Sequence, residues 1–155
     1  GYADRVGSGR RDLDLSSAEI TALVADQISA LDELALAAGV SLTHVKPHGA
    51  LYNQAARDER IASAVVAGVR SRTSRLAVFA PAGSALLTAA LAAGLRGVRE
   101  AFADRAYLAD GRLVPRDQPG AVISEADRMW PMASGSGGTC QSGSAGSTSS
   151  VQNSA

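Results

Sequence analysis

Segments with apolar residues at helical spacing alternate along the chain with short apolar runs, and this alternation limits the possible folds. Short apolar runs separated by helices of ten or more residues form βαβ units, in which the strands pair in parallel. The sequence predicts three such strands, at residues 42–45, 76–80 and 97–102. We therefore expect an α/β protein with a parallel sheet.

Three helices are predicted to accompany these strands. They occupy residues 16–39, residues 53–70 or 58–70, and residues 83–93. Ser16 and Glu19 have the spacing of a capping box at the start of the first helix, and Gly39 is a plausible end for it. A polar segment at residues 104–116 follows the last strand, and residues 121–124 are one more candidate strand.

Charge and composition exclude several classes of function. The 155 residues carry 15 Lys and Arg against 15 Asp and Glu. Nucleic acids and anionic membranes are not expected partners, because binding to them needs a basic surplus. Cys140 is the only cysteine, which excludes an internal disulfide and a multi-cysteine metal site. Residues 1–15 are polar and do not resemble a signal peptide, so we expect a cytoplasmic protein.

The end of the chain differs in composition from the rest. Residues 133–155 carry no charged side chain and are mostly Ser and Gly. Such a segment buries too little apolar surface to offset the entropy that it loses on ordering, so we predict a disordered tail. The folded part is therefore expected to lie within residues 1–132.

One group of polar side chains follows the first predicted strand. Functional groups of parallel α/β folds collect at the carboxyl ends of the strands. Lys46 can bind a carboxylate or a phosphate there, and His48 can act as a general acid or base or as a metal ligand. Tyr52 and Asn53 can orient a polar substrate. The alternative is a surface turn with a solvated Lys46 and a His48 that caps a helix.

A second group lies at the end of the third predicted strand. Glu100 and Asp104 are candidates for a general base. Arg105 can bind a substrate carboxylate through two parallel hydrogen bonds. The alternative is a set of ion pairs on a loop.

Other features of the sequence carry weaker signals. Arg10 and Arg11 could bind an anion or simply face solvent. His44 lies inside an apolar strand, and we expect it to be a hydrogen-bonded core residue rather than a ligand. The glycines form neither the GxGxxG pattern after a strand nor a phosphate-binding loop, so a nucleotide fingerprint is absent.

Three segments resemble the LamB/YcsF family in sequence, order and spacing. They are GRRDLDLS at residues 9–16, HVKPHGALYN at residues 44–53, and EAFADRAYLADGRLVPRDQPGAVI at residues 100–123. The last two are long, polar and unusual, which makes the match specific. The resemblance covers roughly residues 1–124.

This resemblance implies a fold, a reaction and partners. The fold would be a fragment of a distorted seven-stranded, TIM-like β/α barrel, related to metal-dependent glycoside hydrolases and deacetylases. The reaction would be the ATP-dependent hydrolytic opening of 5-oxo-L-proline to L-glutamate. The family supplies the A subunit of a prokaryotic 5-oxoprolinase, which works with the partner subunits B and C. ATP would be a co-substrate of that complex, and the resemblance leaves a divalent metal open.

The candidate residues divide by role in this reaction. Lys46 and the arginines would suit a small anionic, phosphorylated substrate, and the groups suited to water activation are His48, Glu100 or Asp104. The catalytic candidates are Lys46, His48, Glu100 and Asp104. The substrate-binding candidates are Arg11, Tyr52, Asn53 and Arg105.

The sequence also departs from the family pattern. An opening strand with an Asp-Leu-Asn-Cys-Asp-like motif and a His-containing segment are missing, and the family continues after Ile123 with more helix and strand. By this comparison residues 1–132 would be a partial LamB/YcsF β/α-barrel domain, and we expect the chain by itself to be inactive. Two alternatives stay open. One is a metal-dependent, deacetylase-like hydrolase of a small carbohydrate or amide, and the other is a non-catalytic remnant that only docks to partner subunits.

Overall fold

The computed structural model describes residues 1–123, which form two compact units. The first unit is Gly1–Phe102 together with Tyr107–Arg112. Among the described residues, the second unit is Ala103–Ala106 together with residues 113–123. The predicted disordered tail, residues 133–155, lies outside the described residues.

The first unit contains four helices and three parallel strands. In chain order they are α1 (Ser17–Ala37), β1 (His44–Val45), α2 (Gly49–Arg57), α3 (Glu59–Arg72), β2 (Ala77–Pro81), α4 (Ala85–Ala92) and β3 (Gly97–Glu100). The strand order in the sheet is β1-β2-β3, and both pairs of strands are parallel. The predicted α/β class and parallel sheet are therefore confirmed.

The first helix begins as its sequence predicts. The Ser16 backbone N–H donates to Glu19 Oε2 at 2.8 Å, and the Glu19 N–H donates to Ser16 Oγ at 3.3 Å. This reciprocal capping box satisfies backbone donors that the first turn of the helix leaves unpaired. At the other end, Gly39 has a φ of 72°, a conformation that suits the residue after a helix.

The second predicted helix is two helices in the structure. α2 begins at Gly49, earlier than the predicted start at Asn53 or Asp58. Asp58 instead separates α2 from α3, and its carboxylate caps α3 by accepting a hydrogen bond from the Ile61 N–H at 3.0 Å. The predicted start at Asn53 includes the second half of α2, whereas the first half is not predicted because Pro47 and Gly49 indicate a turn.

The helices pack on one another and on the sheet. α1 packs along α3, and α3 also contacts α2 and α4. Both α2 and α4 pack against β2. A Cβ added at Gly68 in α3 would lie 2.7 Å from the Thr21 carbonyl oxygen and 2.8 Å from Val24 Cβ, so α1 and α3 approach closely at this glycine. The fully buried large side chains are Ile20, Leu51, Val65, Val69, Val78 and Leu86.

His44 is exposed, and the prediction of a core histidine is wrong. Successive residues of a strand point to opposite faces of a sheet, and Val45 packs against the helical core. His44 therefore points to the other face. Its ring lies 4.9 Å from the ring of Phe79, and its Nδ1 forms a hydrogen bond with Thr43 Oγ1 at 2.9 Å.

In the second unit the backbone is held by a few hydrogen bonds. The Ala106 N–H donates to the Ala121 carbonyl at 3.1 Å, and the Ile123 N–H donates to the Asp104 carbonyl at 2.8 Å. Of the predicted strand at 121–124, the described residues form only an isolated antiparallel bridge between Arg105 and Val122.

No helix within residues 1–123 combines the length and the apolar character needed to cross a bilayer.

Candidate functional site

Lys46, Tyr52 and Glu100 meet at the carboxyl edge of the sheet. Lys46 follows β1, Glu100 ends β3, and Tyr52 lies in α2. The Lys46 Nζ lies 2.5 Å from Glu100 Oε1, and the Tyr52 hydroxyl donates to Glu100 Oε2 at 2.8 Å. Two groups of residues that are separate in the sequence thus form one cluster, which we call the Lys46 cluster.

The strand register explains why these residues meet. Val45 pairs with Val78, and Glu100 pairs with Pro81, so the carboxyl ends of all three strands lie at one edge. Side chains alternate between the two faces of a sheet. By this alternation, Lys46 continues the face of β1 that carries His44, and Glu100 shares that face. Lys46 and Glu100 therefore lie on the face of the sheet opposite the helical core, and Tyr52 reaches Glu100 from α2.

Two aromatic rings flank the ammonium group of Lys46. Its Nζ lies 4.8 Å from the ring centroid of Phe102 and 5.6 Å from that of Tyr52. The two rings stand edge to face, with centroids 6.3 Å apart. A cation this close to a ring is attracted by the negative face of the π-system. The Lys46 side chain is 28% exposed and that of Glu100 is 17% exposed, so the ion pair is partly shielded from solvent.

The Tyr52 hydroxyl is a hydrogen-bond donor at every physiological pH. Burial is the main cause that raises its pKa above the ordinary value, and the hydrogen bond to the Glu100 carboxylate raises it further. The negative charge of Glu100 also disfavours a phenolate. Tyr52 therefore stays protonated and can hold Glu100 or polarise an oxygen of a bound molecule.

Phe102 and Tyr107 are members of the site that the sequence analysis missed. The Phe102 backbone N–H donates to the Tyr107 hydroxyl oxygen at 2.6 Å. Both aromatic residues lie in the family motif at residues 100–123, close to Glu100 in sequence. The signal in the sequence is their proximity to Glu100, a candidate carboxylate.

His48 and Asn53 are predicted site residues on α2. His48 is the residue before the helix and is exposed, and its side chain makes no capping hydrogen bond. The alternative of a His48 that caps a helix is confirmed for its position, since His48 is the N-cap residue of α2, but not for a side-chain hydrogen bond. Asn53 is exposed on α2. The catalytic role of His48 and the substrate-binding role of Asn53 stay predictions.

His48 lines a cleft of about 310 Å³ beside the N-terminal loop. The residues that line it together with His48 are Gly1, Tyr2, Ala3, Asp4, Arg5, Ser8, Gly9, Gln27 and Gly49. Neither Lys46 nor Glu100 is among them. This cleft therefore shares no lining residue with the Lys46 cluster.

Arg11 pairs with Asp4, a buried residue that the sequence analysis did not single out. The Arg11 Nε donates to Asp4 Oδ2 at 3.0 Å, its Nη2 contacts Asp4 Oδ1, and the Gly7 N–H donates to the same oxygen at 2.8 Å. The hydrogen bond from Arg11 is the main cause that lowers the pKa of Asp4 to about 2. The guanidinium of Arg11 is thus paired with a carboxylate of its own loop.

Asp104 and Arg105 belong to the second unit. The Arg105 side chain is buried, with Nε donating to the Ala121 carbonyl at 3.0 Å and Nη2 donating to the Val114 carbonyl at 2.6 Å. These contacts give Arg105 a structural role in holding its unit together. A part in substrate binding stays a prediction, as does the role of Asp104 as a base.

The family resemblance leaves open whether a divalent metal binds at the site. Carboxylates, imidazoles and thiolates are the side chains that usually bind such ions. Within residues 1–123 no group of three or more His, Cys, Asp or Glu side chains lies close enough together to hold a metal ion. The residues described therefore do not fit a metal centre of that kind.

Comparison with known sequences gives the relatives of the chain. The sequence model of the LamB/YcsF family matches residues 1–141. The chain is 56% identical over 128 residues to the 5-oxoprolinase A subunit of Streptomyces coelicolor, covering 83% of this chain and 51% of that protein. It is 53% identical over 135 residues to the 5-oxoprolinase A subunit of Symbiobacterium thermophilum, covering 87% and 52%. The chain thus spans about half the length of these curated relatives.

A solved structure has the same fold. The lactam utilization protein from Thermus thermophilus superposes with a TM-score of 0.79 at 43% identity, covering 86% of this chain and 54% of that protein. The family resemblance predicted from the three sequence motifs is confirmed. Because the family match extends over most of its length, this chain belongs to the LamB/YcsF family.

Proposed function

We propose that the chain acts as part of a 5-oxoprolinase A subunit, and that the Lys46 cluster takes part in opening 5-oxo-L-proline to L-glutamate. Two relatives named as this subunit of 5-oxoprolinase support the proposal, at 56% and 53% identity. The observation that carries the proposal is the cluster itself. It places an ammonium and a phenol on one carboxylate at the edge of the sheet where parallel α/β folds bind ligands.

The substrate has the chemistry that this cluster can recognise. 5-Oxoproline is a compact anion with a carboxylate and a lactam carbonyl. An ammonium has three N–H donors, and the contact of Lys46 with Glu100 uses one of them, which leaves two for a substrate oxygen. We therefore assign to Lys46 the binding of the substrate anion and of the charge that develops on it.

ATP gives the hydrolysis its driving force in this proposal. An unstrained five-membered lactam hydrolyses unfavourably. Transfer of the terminal phosphoryl group of ATP to the lactam oxygen makes the ring carbon electrophilic. Water then adds to that carbon, the ring C–N bond breaks and the nitrogen takes up a proton, which leaves the new carboxyl group as an acyl phosphate. A second water hydrolyses this acyl phosphate to the carboxylate of glutamate and inorganic phosphate. The products are glutamate, ADP and phosphate, with two water molecules consumed in all.

The contacts in the cluster suggest how the roles divide among the candidates. Both oxygens of Glu100 already accept hydrogen bonds, from Lys46 and from Tyr52. We therefore assign to Glu100 the positioning of these two donors rather than the removal of a proton from water. Water activation is left to His48 or Asp104, which we keep as the candidate bases.

The partners and the complete fold are also proposals. The relatives are named as one lettered subunit of 5-oxoprolinase, which implies a complex of several subunits, and we propose subunits B and C as the partners. We further propose that β1, β2 and β3 form part of a distorted seven-stranded, TIM-like barrel. The chain alone, which spans about half of its relatives, is expected to be inactive.

The test is a chimera. This chain replaces the 128-residue segment that it matches in the Streptomyces coelicolor protein, which is then assembled with subunits B and C. We expect ATP-dependent formation of glutamate from 5-oxoproline. The Lys46→Met variant is expected to lose about 100-fold or more in kcat/KM. Arg112→Ala is the control, because Arg112 forms an exposed pair with Asp110, and it should retain full activity.

Two results would contradict the proposal. Full activity of the Lys46→Met chimera would remove the cluster from the reaction. An inactive chimera with unaltered Lys46 would contradict the reaction itself. Release of acetate from an N-acetyl sugar without ATP would instead favour the deacetylase-like alternative.

A further inference from the structure

We propose that Phe102, held in place by Tyr107, is a positioning residue for the ammonium group of Lys46. The positioning itself stands on contacts within the first unit. Its effect on substrate binding rests on the proposed function.

The first step concerns the mobility of the ammonium. A lysine side chain has four rotatable bonds, so one ion pair fixes its Nζ poorly. Phe102 presents its ring 4.8 Å from Nζ, closer than the ring of Tyr52 at 5.6 Å. Glu100 attracts the ammonium through Oε1, and the two rings attract it through their π faces. Three groups therefore confine Nζ, and Phe102 is the nearer of the two rings.

The second step concerns what fixes Phe102. β3 ends at Glu100, so the N–H of Phe102 lies beyond the last residue of the strand. The Tyr107 hydroxyl accepts this N–H at 2.6 Å. Phe102 and Tyr107 are both half-buried, so this backbone donor has limited access to water. The Tyr107 hydroxyl thus replaces a missing strand partner and fixes the backbone from which the Phe102 ring extends.

The third step concerns the consequence for a ligand. With Glu100 and the two rings around it, Lys46 can turn its remaining N–H donors only toward the space that these groups leave open. A compact anion, such as a carboxylate or a phosphorylated lactam, then meets a donor of fixed direction. Loss of the Phe102 ring should weaken the binding of such an anion more than it slows the chemical step.

The sequence makes this proposal unusually direct to test, because Lys46 is the only lysine in the 155 residues. The chain labelled with ¹³C at lysine Cε gives one lysine signal in an NMR spectrum. Ring currents from Phe102 and Tyr52 should displace the Lys46 ε-proton resonance from the position of free lysine. We expect Phe102→Leu to move this signal toward free lysine, Phe102→Tyr to retain the displacement, and Tyr107→Phe to reduce it.

Matched controls separate positioning from a general loss of structure. Phe79→Leu removes an aromatic ring on the same face of the sheet, 4.9 Å from the ring of His44, and it should leave the Lys46 signal in place. Circular dichroism checks that every variant keeps the helix content of the original chain. A lysine signal at the position of free lysine in the original chain, or an unchanged signal in Phe102→Leu, would overturn the proposal. An unchanged signal in Tyr107→Phe would overturn the part played by Tyr107.

Kinetics in the chimeric complex test the link to function. Phe102→Leu should raise the KM for 5-oxoproline about fivefold or more, with a smaller change in kcat, and Phe102→Tyr should restore the KM. Displaced NMR signals together with an unchanged KM would overturn the link to substrate and leave the positioning in place. An inactive chimera whose Lys46 signal still responds to Phe102 would contradict the proposed function alone.

Discussion

Lys46 and Glu100 form an ion pair that joins the ends of β1 and β3 across the intervening strand β2. Both side chains are less than one-third exposed, so solvent screens this pair less than an ordinary surface pair. Arg112 and Asp110 provide a contrast within the same unit, because both of these side chains are at least half exposed. The two pairs allow a direct comparison of partly buried and exposed charges.

We predict that Lys46 and Glu100 are energetically coupled in folding. In a double-mutant cycle of Lys46→Met and Glu100→Gln, the coupling should be about 1–2 kcal/mol, measured by urea denaturation. The corresponding cycle for Arg112→Ala and Asp110→Ala should give less than about 0.5 kcal/mol, because exposed pairs contribute little. Additive effects of Lys46→Met and Glu100→Gln would contradict the prediction.

The hydroxyl of Tyr52 should contribute more to stability than that of Tyr2. Tyr52 donates to the Glu100 carboxylate, and Tyr2 donates to the neutral amide oxygen of Gln54. We expect Tyr52→Phe to lower the free energy of unfolding by about 1.5–3 kcal/mol and Tyr2→Phe by about 0.5–1.5 kcal/mol. Urea denaturation of the two variants under one set of conditions gives the comparison, and equal losses would contradict it.

The sequence predicted those features of the fold that depend on neighbouring residues. The capping box of Ser16 and Glu19 and the three short apolar runs are local patterns, and the structure has the helix and the strands that they indicate. The start of α2 was not predictable in this way. Gly49 resembles a turn residue in the sequence, and its place in a helix depends on contacts with the N-terminal loop.

The candidate site was predictable as residue types but not as a constellation. The pairing of Lys46 with Glu100 depends on the strand order and register, which bring together residues 54 positions apart. No local pattern contains that information. The partnership of Asp4 with Arg11 is local, but its significance comes from the burial of Asp4, which the surrounding polar sequence does not indicate.

Gly49 should tolerate no side chain. Its φ is 62°, and an added Cβ would lie 2.2 Å from the carbonyl oxygen of Gly9, which accepts a hydrogen bond from the Ala50 N–H at 2.9 Å. Gly49→Ala therefore combines the cost of the left-handed conformation, about 1–2 kcal/mol, with a clash against backbone. Gly39→Ala is the matched control, because Gly39 has a φ of 72° and open space around it. Thermal unfolding should show a clearly larger loss for Gly49→Ala, and similar losses would be inconsistent with the close approach.

Gly68 should reverse the usual effect of replacing glycine in a helix. Alanine is normally favoured over glycine inside a helix by about 1 kcal/mol. At Gly68 a Cβ would meet the Thr21 carbonyl and Val24, so Gly68→Ala should push α1 away from α3 and destabilise the fold. Ala67→Gly, at the exposed neighbouring position, is the control. It should lower the free energy of unfolding only by the intrinsic helix preference of Ala over Gly, about 0.5–1 kcal/mol. A Gly68→Ala variant more stable than the original chain in urea would refute the close packing of these helices.

Acid should remove the stabilising effect of the contact between Arg11 and Asp4. Because the pKa of Asp4 is lowered to about 2 from its ordinary value of 3.8, the fold favours the ionised carboxylate. The contribution to stability is therefore complete above about pH 4 and is lost as the pH falls toward 2. We expect Arg11→Met to lower the urea midpoint at pH 7 and to approach the midpoint of the original chain near pH 2. Arg10→Met, at the exposed neighbouring position, should show no such convergence. A difference between Arg11→Met and the original chain that is the same at both pH values would show that the charge of Asp4 does not stabilise this loop.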